Sequence, residues 1–381
     1  MSKIQELRNR IDCIDDQIAD LFNERMQTVR EIGEEKAKSG STVTDYNREK
    51  QVINRVCKRV DGDKVVFSKQ VFETLFDVSK AYQKQFADVE SAVATEISNA
   101  IINTNEAFPV SATVACQGIA GAYSMLACER LFKVSDILYF KDWNGVFNAI
   151  EKGLCTYGIL PIENSNAGSV YGVYDLILKH KFYIAKTLRL RIKHSFLAKK
   201  GTSLKNVREI YSHEQAISQC SEFLKMYPLV TVTIVENTAV AARMVAESDR
   251  TDVACISSPE CADIYGLANL ASGIQNVDNN YTRFICISKR LEIYPNADRI
   301  SIVMSLPHVT GSLNKLLSKF SSLGLNLTKL ESRPLAASEF EFAFYFDFEG
   351  DVKKKEVLNL ISELNNTSEK FSFLGCYKEE R

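Results

Sequence analysis

No run of about 18 apolar residues occurs in this 381-residue sequence, so no segment is expected to span a membrane. Neither a CxxC pair nor a Cys/His cluster is present, although ten cysteines are scattered along the chain. A metal site is therefore not expected, and free, mostly buried thiols in a reducing cytoplasm are. Charge of one sign is lacking too: 47 Lys and Arg offset 48 Asp and Glu, for a net charge of −1. Nothing in that balance argues for nucleic acid as a partner. The start MSKIQELRNR has no apolar signal core. Proline is missing before Pro109, and glycine is rare before residue 90, which leaves room for long helices. No internal repeat or low-complexity tract is visible.

What is present is enough for two or three domains with sizeable cores, since 45% of residues are hydrophobic and 25% charged. Ile4, Leu7, Ile11, Ile14, Ile18 and Leu21 alternate steps of three and four, a heptad stripe. Arg25 takes the next seam position, followed by Thr28 and Ile32. A guanidinium aimed into a buried seam is costly unless an anion meets it. The pattern predicts one helix over about 3–38, roughly 54 Å long, which calls for a partner chain. Further helices are expected over about 45–60 and 68–88.

Arg25 and Lys36 are about three turns apart on nearly one face, spaced to grip a small dianion. Arg8 lies about 25 Å from Arg25 and could join only from a two-fold related chain. Asp45, Arg48 and Glu49 share a face of the second helix, and Phe72, Phe76, Ser79 and Gln83 form a stripe on the third. Taken singly, these residues fit a three-helix dimer with surface charges. As a set (Leu7-Arg8, Asn23-Glu24-Arg25, Gly33 then Lys36, Asp45 then Arg48-Glu49, and Ser79 to Gln83) they resemble the all-helical chorismate mutase family. That resemblance implies an intertwined dimer that rearranges chorismate to prephenate without a cofactor. It assigns the substrate carboxylates to Arg25, Arg48 and the other chain's Arg8, helped by Ser79. Lys36 and Gln83 would donate to the breaking ether oxygen, and Asp45 and Glu49 would hold the ring hydroxyl.

From residue 112 to about 290 the texture changes to short apolar runs alternating with helical stretches, an α/β pattern. Pro161-Ile162-Glu163-Asn164-Ser165 follows the apolar run YGIL, Tyr211-Ser212-His213 follows another short strand, and Asn280-Tyr281-Thr282-Arg283-Phe284 opens a third. Such strand ends are where open α/β sheets bind ligands. A lone His213 between Ser and Glu reads as a cap or core residue, and no GxSxG elbow supports a hydrolase. With the glycine turn QGIAGAYS and the run YSHEQAISQC, these segments resemble the prephenate dehydratase family. The resemblance implies two α/β lobes like a periplasmic binding protein and release of carbon dioxide and water from prephenate to give phenylpyruvate. Thr282 is then nearest the proton transfer, Glu163 is a second candidate acid, Arg283 fixes a carboxylate, and Asn164, Ser212 and Gln219 orient substrate. Cys116 and the stretch Ala185-Lys186-Thr187 depart from the family's usual residues.

From about Arg299 the order reads strand, helix, strand, strand, helix, strand, the ferredoxin-like arrangement. Gly311-Ser312-Leu313 begins the first helix, and Glu331-Ser332-Arg333-Pro334 ends the second strand. Both segments resemble the ACT regulatory domain, which implies a phenylalanine pocket at Gly311, Leu313, Glu331 and Ser332.

The expected fold is thus multidomain. It comprises an all-α chorismate mutase-like helical dimer domain (1–90), a linker (91–110), a two-lobed α/β periplasmic-binding-protein-like domain (111–290) and an α+β ferredoxin-like ACT domain (298–381). Together the resemblances imply a cytoplasmic enzyme with two consecutive activities, chorismate and prephenate as substrates and phenylalanine as effector. Neither metal nor cofactor is implied. A homodimer is expected, and its pairing into a tetramer is left open. Two rivals remain at this point: a dehydratase whose helices are only a dimerising arm, and a non-catalytic amino-acid sensor.

Overall fold

A computed structural model describes residues 2–39, 45–84, 91–334 and 342–381. The chain forms two compact units, one of residues 1–99 and 300–373, the other of residues 100–299 and 374–381.

The first unit opens with three helices, α1 (Lys3–Ser39), α2 (Tyr46–Cys57) and α3 (Val65–Lys84). Asp45 caps α2 by accepting from Arg48 N at 3.0 Å, a single-residue stop that also sets the helix start. Among the described residues nothing covers the apolar stripe over the first six turns of α1: Ile4, Ile11, Ile18 and Leu21 are each more than half exposed. Its far end is covered instead, with Val29 and Gly33 buried. A Cβ on Gly33 would lie only 3.2 Å from Gln83 Cγ, so the small residue lets α3 approach closely there. The stretch expected to be a linker is largely a packed helix, α4 (Ala92–Asn103), with Ile97 fully buried. Val93, Ile97 and Ala100 fall on one face at steps of four and three, which is why it packs. Ser91 caps its first turn and bonds Ser362 at 2.8 Å.

The second unit runs β1 (Ser111–Gln117), α5 (Tyr123–Leu131), β2 (Val134–Phe140), α6 (Trp143–Glu151), β3 (Tyr157–Asn164), β4 (Gly168–Ser169), α7 (Tyr171–His180) and β5 (Tyr183–Arg191). The chain then builds a second lobe from β6 (Ser195–Ala198), β7 (Glu209–Ser212), α8 (Glu214–Gln219), α9 (Ser221–Leu224), β8 (Thr231–Ile234), α10 (Thr238–Glu247), β9 (Val253–Ser257), α11 (Glu260–Tyr265) and β10 (Ala268–Ser272). It returns to the first lobe as β11 (Tyr281–Ser288). The two sheets have the orders β5-β11-β3-β1-β2, extended beyond β5 by a short C-terminal strand, and β10-β6-β9-β7-β8. In the first, β1 lies parallel to β2 and β3, whereas β11 enters antiparallel between β3 and β5. Cys116, one of the departures noted above, is fully buried in this lobe's core with Cys128 and Cys286.

The remaining strands and helices are β12 (Arg299–Ser305), α12 (Ser312–Ser322), β13 (Leu327–Pro334), β14 (Phe342–Glu349), α13 (Lys355–Thr367) and β15 (Phe371–Tyr377), in the sheet order β13-β14-β12-β15. Beyond β15 the short β16 (Glu379–Glu380) adds to the edge of β5, and Glu380 pairs with Lys186 at 3.0 Å. Lys186 also stands 4.6 Å over the Phe108 ring, which accounts for a basic residue at that position.

Candidate active sites

In the helical unit, α1 and α3 bring Arg25, Ser79 and Gln83 to one seam. Arg25 donates to Ser79 Oγ at 2.5 Å and to Leu75 O at 3.5 Å, and its partial burial pulls the guanidinium below its ordinary pKa. Gln83 is buried against Gly33, and its Oε1 has no hydrogen-bond partner among the described residues. A buried amide acceptor left open costs about 1–3 kcal/mol, a strain that a bound donor would relieve. Lys36 follows Gly33 by three residues and is half-buried.

The acidic members are engaged locally. Asp45, expected to hold a ring hydroxyl, is committed through one oxygen to its helix cap. Glu49 pairs with Lys80 at 3.1 Å, and Lys80 also meets Asp77 at 3.0 Å. Burial alone would lower the Lys80 pKa, but the bonds to Asp77 and Glu49 outweigh it and raise it. Arg48 is exposed on α2, and Arg8 is exposed far up α1, away from Arg25.

The dehydratase-like site sits where β3, β11 and the second lobe meet. Pairing of β3 with β11 sets Thr282 opposite Asn164 and Arg283 opposite Glu163, just before a register shift at Phe284. Bulges of this kind re-aim side chains beside sites. Glu163 lies 3.2 Å from the Arg283 guanidinium. The carboxylate offered as a second acid is thus engaged as an ion-pair partner of Arg283. Ser212 is fully buried and donates to Ile256 O at 2.7 Å, so its proton is committed to the lobe's own backbone. His213 caps α8 by accepting from Gln215 N, in line with its cap reading.

One chain of hydrogen bonds links the rest. Asn164 Oδ1 accepts from Asn166 N at 3.0 Å and Ala167 N at 2.9 Å, an Asx-type turn. Backbone N–H groups only donate, so the other end of Asn164 must be its NH2. That NH2 donates to Asn280 Oδ1 and to Thr282 Oγ1, both at 2.9 Å. Thr282 thus receives a bond and keeps its own hydroxyl hydrogen for a ligand. Asn280 Nδ2 continues to Gln219 Oε1 at 2.9 Å, and Gln219 Oε1 meets His194 Nε2 at 2.9 Å. With its oxygen occupied twice, Gln219 can offer a ligand its NH2 end. Thr282, Asn164, Asn280 and His194 are all buried.

Asn280 headed one of the strand-end segments but carried no expected role of its own, and His194 was not expected in a site at all. Nothing in their spacing marks them, because their partners lie between 25 and 116 residues away. Near by, the QGIAGAYS turn ties the lobes together: Tyr265 Oη donates to Ala120 O at 2.7 Å. At Gly121, with φ +83°, a Cβ would come within 2.6 Å of Cys261 Sγ.

In the C-terminal sheet, Gly311 adopts φ +86° at the start of α12. Glu331 lies 3.3 Å from Lys329, and Ser332 is exposed on the edge strand β13.

Two lobes thus meet over a chain of Thr282, Asn164, Asn280 and Gln219, and the helical unit carries a separate seam that holds Arg25, Ser79 and Gln83. The prephenate dehydratase family model matches residues 114–292, and that of chorismate mutase type II matches residues 7–84. The chain is 35% identical over 276 residues to arogenate dehydratase/prephenate dehydratase 2 of Arabidopsis thaliana, covering 69% of this chain and 72% of that protein. It is 28% identical to the bifunctional chorismate mutase/prephenate dehydratase of Escherichia coli K12, across 98% of this chain and 96% of the other. A prephenate dehydratase from Arthrobacter aurescens, solved with L-Phe, superposes with a TM-score of 0.64 at 27% identity, covering 71% of this chain and 90% of that one. The chain belongs to the bifunctional chorismate mutase/prephenate dehydratase family. It rearranges chorismate to prephenate and converts prephenate to phenylpyruvate, consecutive steps toward phenylalanine.

Proposed function

We propose that the second step is carried by Thr282, whose hydroxyl donates to the departing hydroxyl of prephenate. The one-way chain from the Asn164 turn carries this reading, because it leaves that hydrogen uncommitted. As the ring carboxylate leaves as carbon dioxide, its electron pair enters the ring and expels hydroxide, which takes up a proton to become water. Aromatisation drives the step. Arg283, held by Glu163, fixes the carboxylate that stays, and Gln219 presents its NH2 beside it. Asn164 orients Thr282, and Ser212 shapes the wall of the second lobe.

For the first step, Arg25 with Ser79, Arg48, and Arg8 from a second copy hold the two carboxylates of chorismate. Lys36 and Gln83 donate to the ether oxygen, where charge appears only in the transition state. Asp45 and Glu49 border the ring hydroxyl. The uncovered heptad stripe of α1 supports a dimer of long helices. Residues 298–381 form the ACT domain, where phenylalanine binds at Gly311, Leu313, Glu331 and Ser332 and slows the dehydratase. The edge position of β13, open to pairing with a second copy, and the L-Phe in the Arthrobacter neighbour support this. The ten free cysteines suit the cytoplasm.

Turnover of chorismate and, separately, of supplied prephenate by the whole chain tests the assignment. Lys36→Ala should abolish only prephenate formation, and Thr282→Ala only phenylpyruvate formation. Loss of both steps in each folded variant would refute separate sites. Added phenylalanine should slow the second step in the parent and not in Glu331→Ala.

A further inference from the structure

Two segments carry the chain between the lobes, residues 192–194 after β5 and residues 273–280 before β11. They run side by side. Ile192 N donates to Asn280 O at 2.8 Å, Ile274 N to His194 O at 3.2 Å, and His194 N to Gln275 Oε1 at 3.0 Å. His194 and Asn280 therefore sit on the two strands of the hinge, and each holds the same atom of the second lobe, Gln219 Oε1.

The direction of that bond follows from the far end of the chain. The backbone N–H groups of Asn166 and Ala167 fix the oxygen of Asn164, hence its NH2 toward Asn280 Oδ1, hence the NH2 of Asn280 toward Gln219. Gln219 must then present its oxygen, and an oxygen can meet the imidazole only if Nε2 carries a proton. Nδ1 is left without a partner among the described residues, on a side chain only 2% exposed. A second proton there would create a buried cation with no acceptor. The Tyr123 ring stands edge-on to the imidazole at 6.4 Å, and Gln275 holds the His194 backbone N–H. Burial lowers the His194 pKa, and the bond to Gln219 only partly offsets this.

We propose that His194 is a positioning residue of the dehydratase: a neutral imidazole, protonated on Nε2, that locks the Gln219 amide with its NH2 facing the cleft. This rests on the assignment of the cleft around Thr282. Without the His194 donor, Asn280 alone opposes an amide flip, and a flipped Gln219 would turn its oxygen on the substrate carboxylate.

The test combines nitrogen NMR with kinetics on the full chain. The 15N shifts of the unsubstituted protein should show His194 as the neutral Nε2–H tautomer, unchanged through the range where an exposed histidine titrates. His194→Phe should lower dehydratase kcat/KM by up to about tenfold, the worth of one neutral hydrogen bond. His194→Gln, whose amide N–H reaches the same oxygen, should recover most of that loss. A neutral Nδ1–H tautomer, or titration near the ordinary histidine value, overturns the proposal whatever the variants do. So does a Gln variant as impaired as the Phe variant. If Thr282→Ala keeps parental dehydratase turnover, it is the assignment of the cleft that falls, while the tautomer measurement still stands on its own.

Discussion

Asn164→Asp is the sharpest perturbation of the dehydratase cleft, because it exchanges one NH2 for one oxygen and changes no volume. The turn survives, since the surviving oxygen still accepts from Asn166 N and Ala167 N. On the other side the Asn164 NH2 faces three acceptors: Asn280 Oδ1 and Thr282 Oγ1 at 2.9 Å, and Tyr281 O at 3.3 Å. With a carboxylate in its place, Thr282 can rotate and donate its own hydrogen, so that contact is reversed and not lost. Asn280 Oδ1 cannot adapt, unless the whole amide flips and takes the Gln219 contact with it. One buried acceptor left unpaired costs about 1–3 kcal/mol of stability. The catalytic cost is larger, because the Thr282 hydrogen is no longer available to the leaving hydroxyl. Losing one positioned proton donor typically costs about 10²–10⁴ in rate. Prephenate turnover by the variant should fall in that range, while chorismate-to-prephenate turnover stays at the parental value. Retention of dehydratase activity within about twofold, less than 1 kcal/mol of barrier, would refute the one-way chain.

Other outcomes follow from the same structure. Gly375→Ala would place a Cβ 2.3 Å from Ile184 O, so urea denaturation should show at least about 1–3 kcal/mol of overpacking cost. Ile11→Glu combined with Ile18→Glu puts charges into the heptad stripe of α1; sedimentation should report dissociation, with mutase activity lost and dehydratase activity kept. His194 has a pKa lower in the folded state than in the unfolded chain, so the unfolded chain binds the extra proton first. Its contribution to stability should be fully present above the unfolded value, about 6.5, and decline as pH falls below it. Denaturation midpoints should therefore drop more steeply toward acid pH in the parent than in His194→Gln, and parallel curves would count against a buried neutral imidazole.

Short-range signals were readable along the chain, because periodicity, caps and glycine turns depend on residues a few positions apart. The seam of α1, the cap reading of His213 and the strand-end positions of Asn164 and Thr282 all have that character. Residues 91–110 were less legible, since an apolar stripe of small residues reads equally as linker or helix until a surface receives it. Asp45 shows the limit from the other side: its sequence position fits a ligand contact and a helix cap alike, and the backbone N–H of Arg48 takes one of its two oxygens.

Composition and motif order by themselves pointed to a multidomain chain, and the resemblance of its contiguous motifs to two families implied the two chemistries. Only the tertiary structure decided that Glu163 faces Arg283, that Lys80 occupies Glu49, and that His194 closes the chain begun at Asn164. These pairings join residues from 25 to 120 positions apart. They are set by strand register and lobe packing, and a one-residue slip in β11 would turn Thr282 to the opposite face of its sheet.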